Sequence, residues 1–362
     1  MRMIDLIAGA RPNFMKIAPI IDALKASGKI RFRLIHTGQH YDRNMSGSFF
    51  EELGIPEPEI NLQVGSGTQA EQTAGIMVGY EKVLLKERSD LCLVVGDVTS
   101  TMACAITAQK LCVPVAHVEG GIRSGDWTMP EEINRMVTDA ITNLFFTTSD
   151  FANENLKQAG VGSDRIFFVG NTMIDTLIKQ LPRLKCPSFY DEAGLVSGQY
   201  MVLTLHRPAN VDDPDNLRKM LDAVMGGTRS DKVVWPVHPR TRKILAGIGD
   251  LKMDRLILCE PLSYLEFNYL VRYSRGVITD SGGITEETTV MGVPCMTLRD
   301  TTERPETVQM GTNELVGTNP ANLQPYLQKL FSGEWKKGKI PPLWDGKAAV
   351  RIVQVLERHL HV

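Results

Sequence analysis

The sequence has no cysteine pair at CxxC spacing; its six cysteines, Cys92, Cys104, Cys112, Cys186, Cys259 and Cys295, are scattered along the chain. A zinc or disulfide framework therefore has no support, and Cys92, Cys259 and Cys295 lie in apolar runs where a free thiol serves as a small hydrophobe. No stretch reaches the roughly 18 uncharged apolar residues that a membrane span needs. The first apolar stretch, residues 3–10, is broken by Asp5 and followed by Arg11-Pro12, without a signal-peptide pattern. A cytoplasmic protein is expected. An excess of one charge is missing too, since 40 basic against 42 acidic residues leave a net charge of −2. Neither nucleic acid nor a membrane surface is an expected partner, and any anion site must be built locally. Two nucleotide fingerprints are absent as well. There is no GxxxxGK[ST] loop, and Pro12 and Asn13 replace the later glycines of GxGxxG in the first turn. NAD and ATP lose their motif support, and neither cofactor nor metal is expected.

What is present is an alternation. Short apolar runs separated by helical patterns indicate parallel sheets covered on both faces. Strands are expected at 4–8, 33–37, 91–95, 113–118, 144–147 and 166–169, and a second series at 201–205, 233–237, 256–259, 277–279 and 295–298. A chain of 362 residues exceeds what one core normally organises. The expected fold class is α/β, with two Rossmann-like doubly wound domains and a cleft between the carboxyl ends of their sheets. The domains are read as 1–171, which carries the acidic residues, and 172–347, with residues 348–362 a helix returning to the first. Residues 181–198, with Pro182, Pro187 and two glycines, read as the linker.

Polar clusters follow the strands, where open α/β sheets bind ligands. In Asp280-Ser281-Gly282-Gly283-Ile284-Thr285-Glu286-Glu287 a strand ends, glycines permit close backbone approach, and a helix begins. Unpaired N–H groups and the helix dipole favour a phosphate there, with Glu287 one turn on as an acceptor for ribose hydroxyls. The plainer reading makes Ser281 an ordinary N-cap. Arg11 and Lys16 put two cations at another sheet end, as anion ligands or as a solvated basic turn.

Asp97, Glu119 and Glu131 follow successive strands, and carboxylates in a closed cleft are natural acids and bases. Each has a structural alternative: Asp97 capping a turn, Glu119 pairing with Arg123, Glu131 in a capping box with Thr128 and pairing with Arg135. His206-Arg207 and His238-Pro239-Arg240 end strands of the second series, where they would stabilise a leaving phosphate. His117, two residues before Glu119, would orient that carboxylate.

Together these residues resemble one family. Its successive motifs are matched by residues 9–16 (Gly-Ala-Arg-Pro-Asn-Phe-Met-Lys), His36-Thr37-Gly38-Gln39-His40, Gly96-Asp97-Val98 and residues 117–123 (His-Val-Glu-Gly-Gly-Ile-Arg). Residues 130–135 (Pro-Glu-Glu-Ile-Asn-Arg), His206-Arg207-Pro208-Ala209-Asn210 and the run 280–305, ending in Arg-Asp-Thr-Thr-Glu-Arg-Pro, complete the set. The chain is similar over nearly its whole length to the non-hydrolysing UDP-N-acetylglucosamine 2-epimerases. The resemblance implies a glycosyltransferase-B-like arrangement of the two domains, a homodimer, and UDP-N-acetylglucosamine and UDP as ligands. It implies catalytic positions at Asp97, Glu119, Glu131 and His206, with Lys16 and Arg135 in the same site. Arg11, His238, Ser281, Gly282, Gly283 and Glu287 match positions that hold UDP. Alternatives are a hydrolysing epimerase, an epimerase of a modified UDP-diacetamido sugar acid, and a UDP-sugar glycosyltransferase. Many bacterial members have a second, activating UDP-N-acetylglucosamine site. Here Gly65-Ser66-Gly67-Thr68 stands where its Arg-Gln pair would align.

Overall fold

A computed structural model of the chain describes residues 1–38, 53–248 and 254–362. The chain divides into two compact units, Met1–Lys179 with Pro342–Val362, and Gln180–Pro341. Among the described residues, no helix is long and apolar enough to cross a membrane.

The first unit is built on seven strands: β1 (Met3–Ala8), β2 (Arg31–His36), β3 (Ile60–Asn61), β4 (Leu91–Val95), β5 (Val115–Val118), β6 (Leu144–Thr147) and β7 (Ile166–Phe168). Their order is β3-β2-β1-β4-β5-β6-β7, with every pairing parallel. Helices cover both faces, so strands such as Leu91–Val95 are buried along their whole length and read as unbroken apolar runs. Asp5 interrupts β1 without cost to the sheet. It is fully buried, but Arg33 donates to it from Nε at 2.8 Å and Nη2 at 3.1 Å, and Tyr80 from its hydroxyl at 2.8 Å. Helix Arg11–Ser27 turns Ile17, Ile20, Ile21 and Leu24 inward and ends at Gly28, whose φ of +65° suits a residue without Cβ.

Helix Ala348–Leu360 belongs to this unit and packs on Arg11–Ser27. Its start is held by Asp175, which accepts from the N–H groups of Ala348 at 3.1 Å and Ala349 at 2.7 Å. Burial outweighs those bonds and pushes the Asp175 carboxyl up from 3.8 to about 6. Between those values the folded chain keeps a proton that the unfolded chain has lost, so this group's stability contribution falls as pH rises from about 4 to 6. Asp175→Asn should abolish that slope, of order 2–3 kcal/mol in total. Urea unfolding of both proteins at pH 4, 5, 6 and 7 reads it as a fall in wild-type stability relative to the variant as pH rises.

The second unit holds β8 (Tyr200–Thr204), β9 (Lys232–Pro236), β10 (Leu256–Cys259), β11 (Gly276–Thr279), β12 (Cys295–Thr297) and β13 (Asn313–Leu315), ordered β10-β9-β8-β11-β12-β13 and all parallel. Residues 181–198, expected as a linker, contribute Tyr190 and Leu195 to one of its cores, packed with Tyr200, Val202 and Val271. Strands β3 and β13 were not expected. The first has two residues, and the second lacks an apolar run: its buried Asn313 accepts from Thr297 at 2.6 Å and donates to Thr307 at 3.3 Å.

Candidate active site

In each sheet the strand order reverses at one place, between β1 and β4 and between β8 and β11. Loops leaving the strands there diverge and open a crevice at the carboxyl ends. The candidate residues gather at these two positions.

In the first unit, Lys16 reaches from the second turn of its helix to Glu119, Nζ to Oε2 at 2.8 Å, with the two side chains only 10% and 3% exposed. Asp97, just past β4, pairs with Arg135, whose Nη1 also lies 2.7 Å from Glu132 Oε2. The Asp97 side chain is 31% exposed, so the two carboxylates differ in both cation and solvent access. Asn134 donates to the Asp97 carbonyl at 2.8 Å. Asn13 accepts from the N–H groups of Gly9 and Ala10 at 3.2 and 3.0 Å and donates to the Val95 carbonyl at 2.9 Å, tying the first turn to the end of β4. Arg11 begins the same helix, but its side chain lies outside the described residues, as do Gln39 and His40.

The structural alternatives for the carboxylates do not hold. Arg123 pairs with Asp139 at 2.6 Å rather than with Glu119. Arg135 turns to Glu132 and Asp97 rather than to Glu131. Thr128 donates to Asp126, and the helix Pro130–Ile141 has Met129 at its cap position, so Glu131 closes no capping box. Glu131 is half-buried and has no ion-pair partner among the described residues. Asp97 caps nothing, since Val98 is the cap residue of helix Thr99–Lys110. His117 does not touch Glu119. It faces Asp139 and the Gly96 carbonyl.

In the second unit the centre is Asp280, fully buried at the end of β11. It accepts from the N–H groups of His206 at 3.0 Å and Arg207 at 2.9 Å and from Asn210 Nδ2 at 3.0 Å. The His206 ring lies against it too, Nδ1 to Oδ1 at 2.6 Å, with that side chain 60% exposed. Burial works to raise the Asp280 carboxyl, but His206, Asn210 and Arg207 together hold it below the usual carboxylate range. Ser281 is the cap residue of helix Gly282–Met291, yet its side chain makes no cap bond, and its own N–H donates to Thr279 Oγ1 at 3.0 Å. A Cβ on Gly282 would fall 2.5 Å from Glu303 Oε1, so a side chain there would have to displace that carboxylate. Glu287 is buried and accepts from the Tyr264 hydroxyl at 2.6 Å. Burial pushes its carboxyl up to about 7. Buried pairs flank it: Arg304–Glu286 at 2.5 Å and Arg299–Glu303 at 2.7 Å. His238 is exposed just past β9.

Thus the first unit collects Lys16, Asp97, Glu119 and Arg135, with Glu131 in the first turn of the Arg135 helix. The second collects His206, Ser281, Gly282 and Gly283, with Glu287 further along the same helix. Sequence reasoning missed Asp139, Asn13, Tyr264 and the role of Asp280. Asp139 had a signal: it falls four residues after Arg135, in phase with the buried positions of its helix.

Two doubly wound α/β units, each with ionisable groups and glycines at the switch point of its sheet, define a nucleotide-handling architecture of the Rossmann type. The family model for UDP-N-acetylglucosamine 2-epimerase matches residues 22–357, and the chain belongs to that family. It is 41% identical to the UDP-N-acetylglucosamine 2-epimerase of Methanocaldococcus jannaschii, over 98% of both chains. A crystal structure of that organism's enzyme in complex with UDP-GlcNAc and UDP superposes with a TM-score of 0.88 at 40% identity, covering 98% of this chain and 99% of the other. The chain is also 41% identical to the UDP-2,3-diacetamido-2,3-dideoxy-D-glucuronate 2-epimerase of Pseudomonas aeruginosa, over 86% of this chain and 87% of that one.

Proposed function

We propose that the protein epimerises UDP-N-acetylglucosamine at C2 to UDP-N-acetylmannosamine without hydrolysis, by elimination and re-addition of UDP through a 2-acetamidoglucal. The observation that carries this reading is the carboxylate arrangement of the first unit. Glu119 is buried against Lys16, and Asp97 is half-exposed against Arg135. The C2 proton is only weakly acidic until UDP begins to leave C1, when the ring becomes oxocarbenium-like. A carboxylate then takes the proton and UDP departs. Return of UDP with proton delivery to the other face inverts the centre. Two faces require two proton-transfer groups, and Asp97, Glu119 and Glu131 supply them. The second unit holds UDP: the first-turn N–H groups from Gly282 onward, His206 and His238 meet the diphosphate, and Glu287 meets the ribose. Asp280 fixes the His206 ring through Nδ1, which leaves Nε2 as the end that meets an anion.

Incubation with UDP-N-acetylglucosamine in D2O, followed by NMR, tests the reading. A mixture of the two UDP-sugars deuterated at C2 is expected. Free N-acetylmannosamine would show hydrolysis instead, and no turnover would overturn the assignment. The Pseudomonas relative supports a second reading in which the sugar is a diacetamido uronate; turnover of that UDP-sugar alone decides for it.

Two further outcomes are expected. Glu287 is the ribose acceptor in this reading, so UDP binding favours its ionised form and draws a proton off below pH 7. UDP affinity should rise with pH by up to about tenfold per pH unit below 7 and level off above, with the dependence lost in Glu287→Gln. Calorimetry at pH 6, 7 and 8 reads it. The second concerns activation. Thr68 and Glu71 are engaged in capping helix Gln69–Lys86, with bonds of 2.8 and 3.2 Å, and Gly65 and Gly67 offer no side chain. Residues 65–68 offer no forked donor for a second diphosphate, a loss of roughly 1.5–3 kcal/mol against a typical coupling of about 1–3. UDP-N-acetylmannosamine alone should therefore be converted with hyperbolic initial rates. A reverse reaction silent until UDP-N-acetylglucosamine is added would refute this.

A further inference from the structure

Both ring nitrogens of the buried His117 face acceptors. Nδ1 lies 2.7 Å from Asp139 Oδ1, and Nε2 lies 2.8 Å from the Gly96 carbonyl oxygen. A carbonyl oxygen has no hydrogen to give, so Nε2 donates. Asp139 has no role as donor either: its Oδ2 accepts from the Gly121 N–H at 2.9 Å and meets Arg123 Nη1 at 2.6 Å. Burial raises the Asp139 carboxyl, but His117 and Arg123 outweigh burial and hold it below the usual range, as a carboxylate. A neutral imidazole has one donor and one acceptor and cannot satisfy this arrangement; an imidazolium satisfies it at both ends.

What the pair touches gives it a role. Gly96 precedes Asp97, and Glu119 lies between His117 and Gly121 on the neighbouring strand end. Three of these residues have left-handed backbone, Gly96 at φ +69°, Glu119 at +73° and Gly121 at +81°. For glutamate that conformation costs of order 1 kcal/mol and persists only where the surroundings over-determine it. Asp139 holds the turn after Glu119 through the Gly121 N–H, and His117 holds the peptide before Asp97 through its carbonyl. The parts pack closely. A Cβ on Gly120 would meet Phe145 Cδ1 at 2.9 Å and both His117 Nδ1 and Asp139 Oδ1 at 3.4 Å. On its other side Gly96 abuts the active-site pair, since a Cβ there would lie 3.3 Å from Lys16 Nζ and 3.9 Å from Glu119 Oε2. The charged groups around the ring are thus Asp139, with Arg123 behind it, and across Gly96 the Lys16–Glu119 pair.

We propose that His117 is a positioning residue, held as an imidazolium between Asp139 and the Gly96 carbonyl, and that this buried pair locks together the two turns that aim Asp97 and Glu119. The role rests on the reading that those carboxylates transfer protons at C2. Loss of the charge loosens the clamp, and the carboxylates lose their alignment while UDP binding in the second unit is untouched.

Histidine labelled with 15N gives the first test. At pH 7.5 the wild type should show a ring with both nitrogens protonated that is missing from His117→Gln. A ring with one bare nitrogen assigned to His117 would overturn the proposal. The second test is Asp139→Asn, nearly the same shape without the anion. Its kcat should fall about 10- to 100-fold with KM within about twofold, as expected when reacting groups shift by a fraction of an ångström. An Asp139→Asn enzyme with wild-type kcat would also overturn the proposal, and if that variant does not fold, the wild-type spectrum decides alone. Wild-type turnover of the UDP-sugar is the control. Its absence sinks the functional reading, while the spectrum still decides whether the charged pair exists.

Discussion

Glu119→Gln should lower kcat for C2 epimerisation by at least about 10²-fold while UDP affinity stays within about twofold. The amide keeps the shape of the side chain and still accepts from Lys16, but it takes no proton from carbon. UDP is assigned to Arg11 and to residues of the second unit, and this change alters none of them. A competing effect must be separated from the chemical one. Lys16 is 8% exposed, and removing its anion leaves a buried ammonium uncompensated, a loss of about 3–5 kcal/mol in comparable pairs. Urea unfolding measures that loss directly, and kinetics are then compared under conditions where both proteins are fully folded. Asp97→Asn should lose a similar factor in kcat with a smaller stability cost, because its carboxylate is 31% exposed and screened by water. Glu131→Gln has no paired cation to strand among the described residues, so its loss should be in kcat alone. Turnover near the wild-type level in any of the three removes that residue from the proton-transfer set.

A loss of stability of similar size, roughly 3–5 kcal/mol, follows Asp280→Ala. Asp280 is the acceptor for two backbone N–H groups, the Asn210 amide and the His206 ring, all gathered on one fully buried carboxylate. Alanine leaves the donors at the mouth of β8 without an acceptor, and the connection from β8 into the following helix loses its anchor. The urea midpoint should fall accordingly, with kcat falling as well because the His206 ring is no longer fixed through Nδ1. Asp280→Asn should cost less than alanine, since one amide oxygen still accepts. Unfolding of Asp280→Ala at the wild-type urea concentration would show that the donors find other partners and that Asp280 is not the hub described.

Much of this protein was legible because its chemistry is local in sequence. In a sheet buried on both faces, the strand cores are apolar and their carboxyl ends are where the pattern breaks. Gly96-Asp97, Glu119 and Asp280-Ser281 were therefore visible as interruptions, and strands such as Leu91–Val95 were bounded correctly. The short β3 and the polar edge strand β13 were not, because neither carries enough apolar residues to show a period. Residues 181–198 misled for the opposite reason: proline and glycine marked a connection, but Tyr190 and Leu195 within it fill a core.

Pairing was a different matter. Arg123 passes over the nearby Glu119 for Asp139, and Arg135 passes over Glu131 for Glu132 and the distant Asp97, because helix phase and strand order rather than spacing decide which charges meet in a dry interior. His117 likewise turned from Glu119, two residues on, to Asp139, since alternate residues of a strand share a face but the backbone turns over at Glu119, with φ of +73°. The sequence by itself determined the α/β class, the strand ends that carry function and the residue types assembled there, all of which follow from periodicity and burial. Only the tertiary structure decided which cation neutralises which carboxylate. That choice depends on distances of a few ångströms between segments far apart in the chain, and Coulomb energy in a low-dielectric interior falls with those distances, not with separation along the sequence.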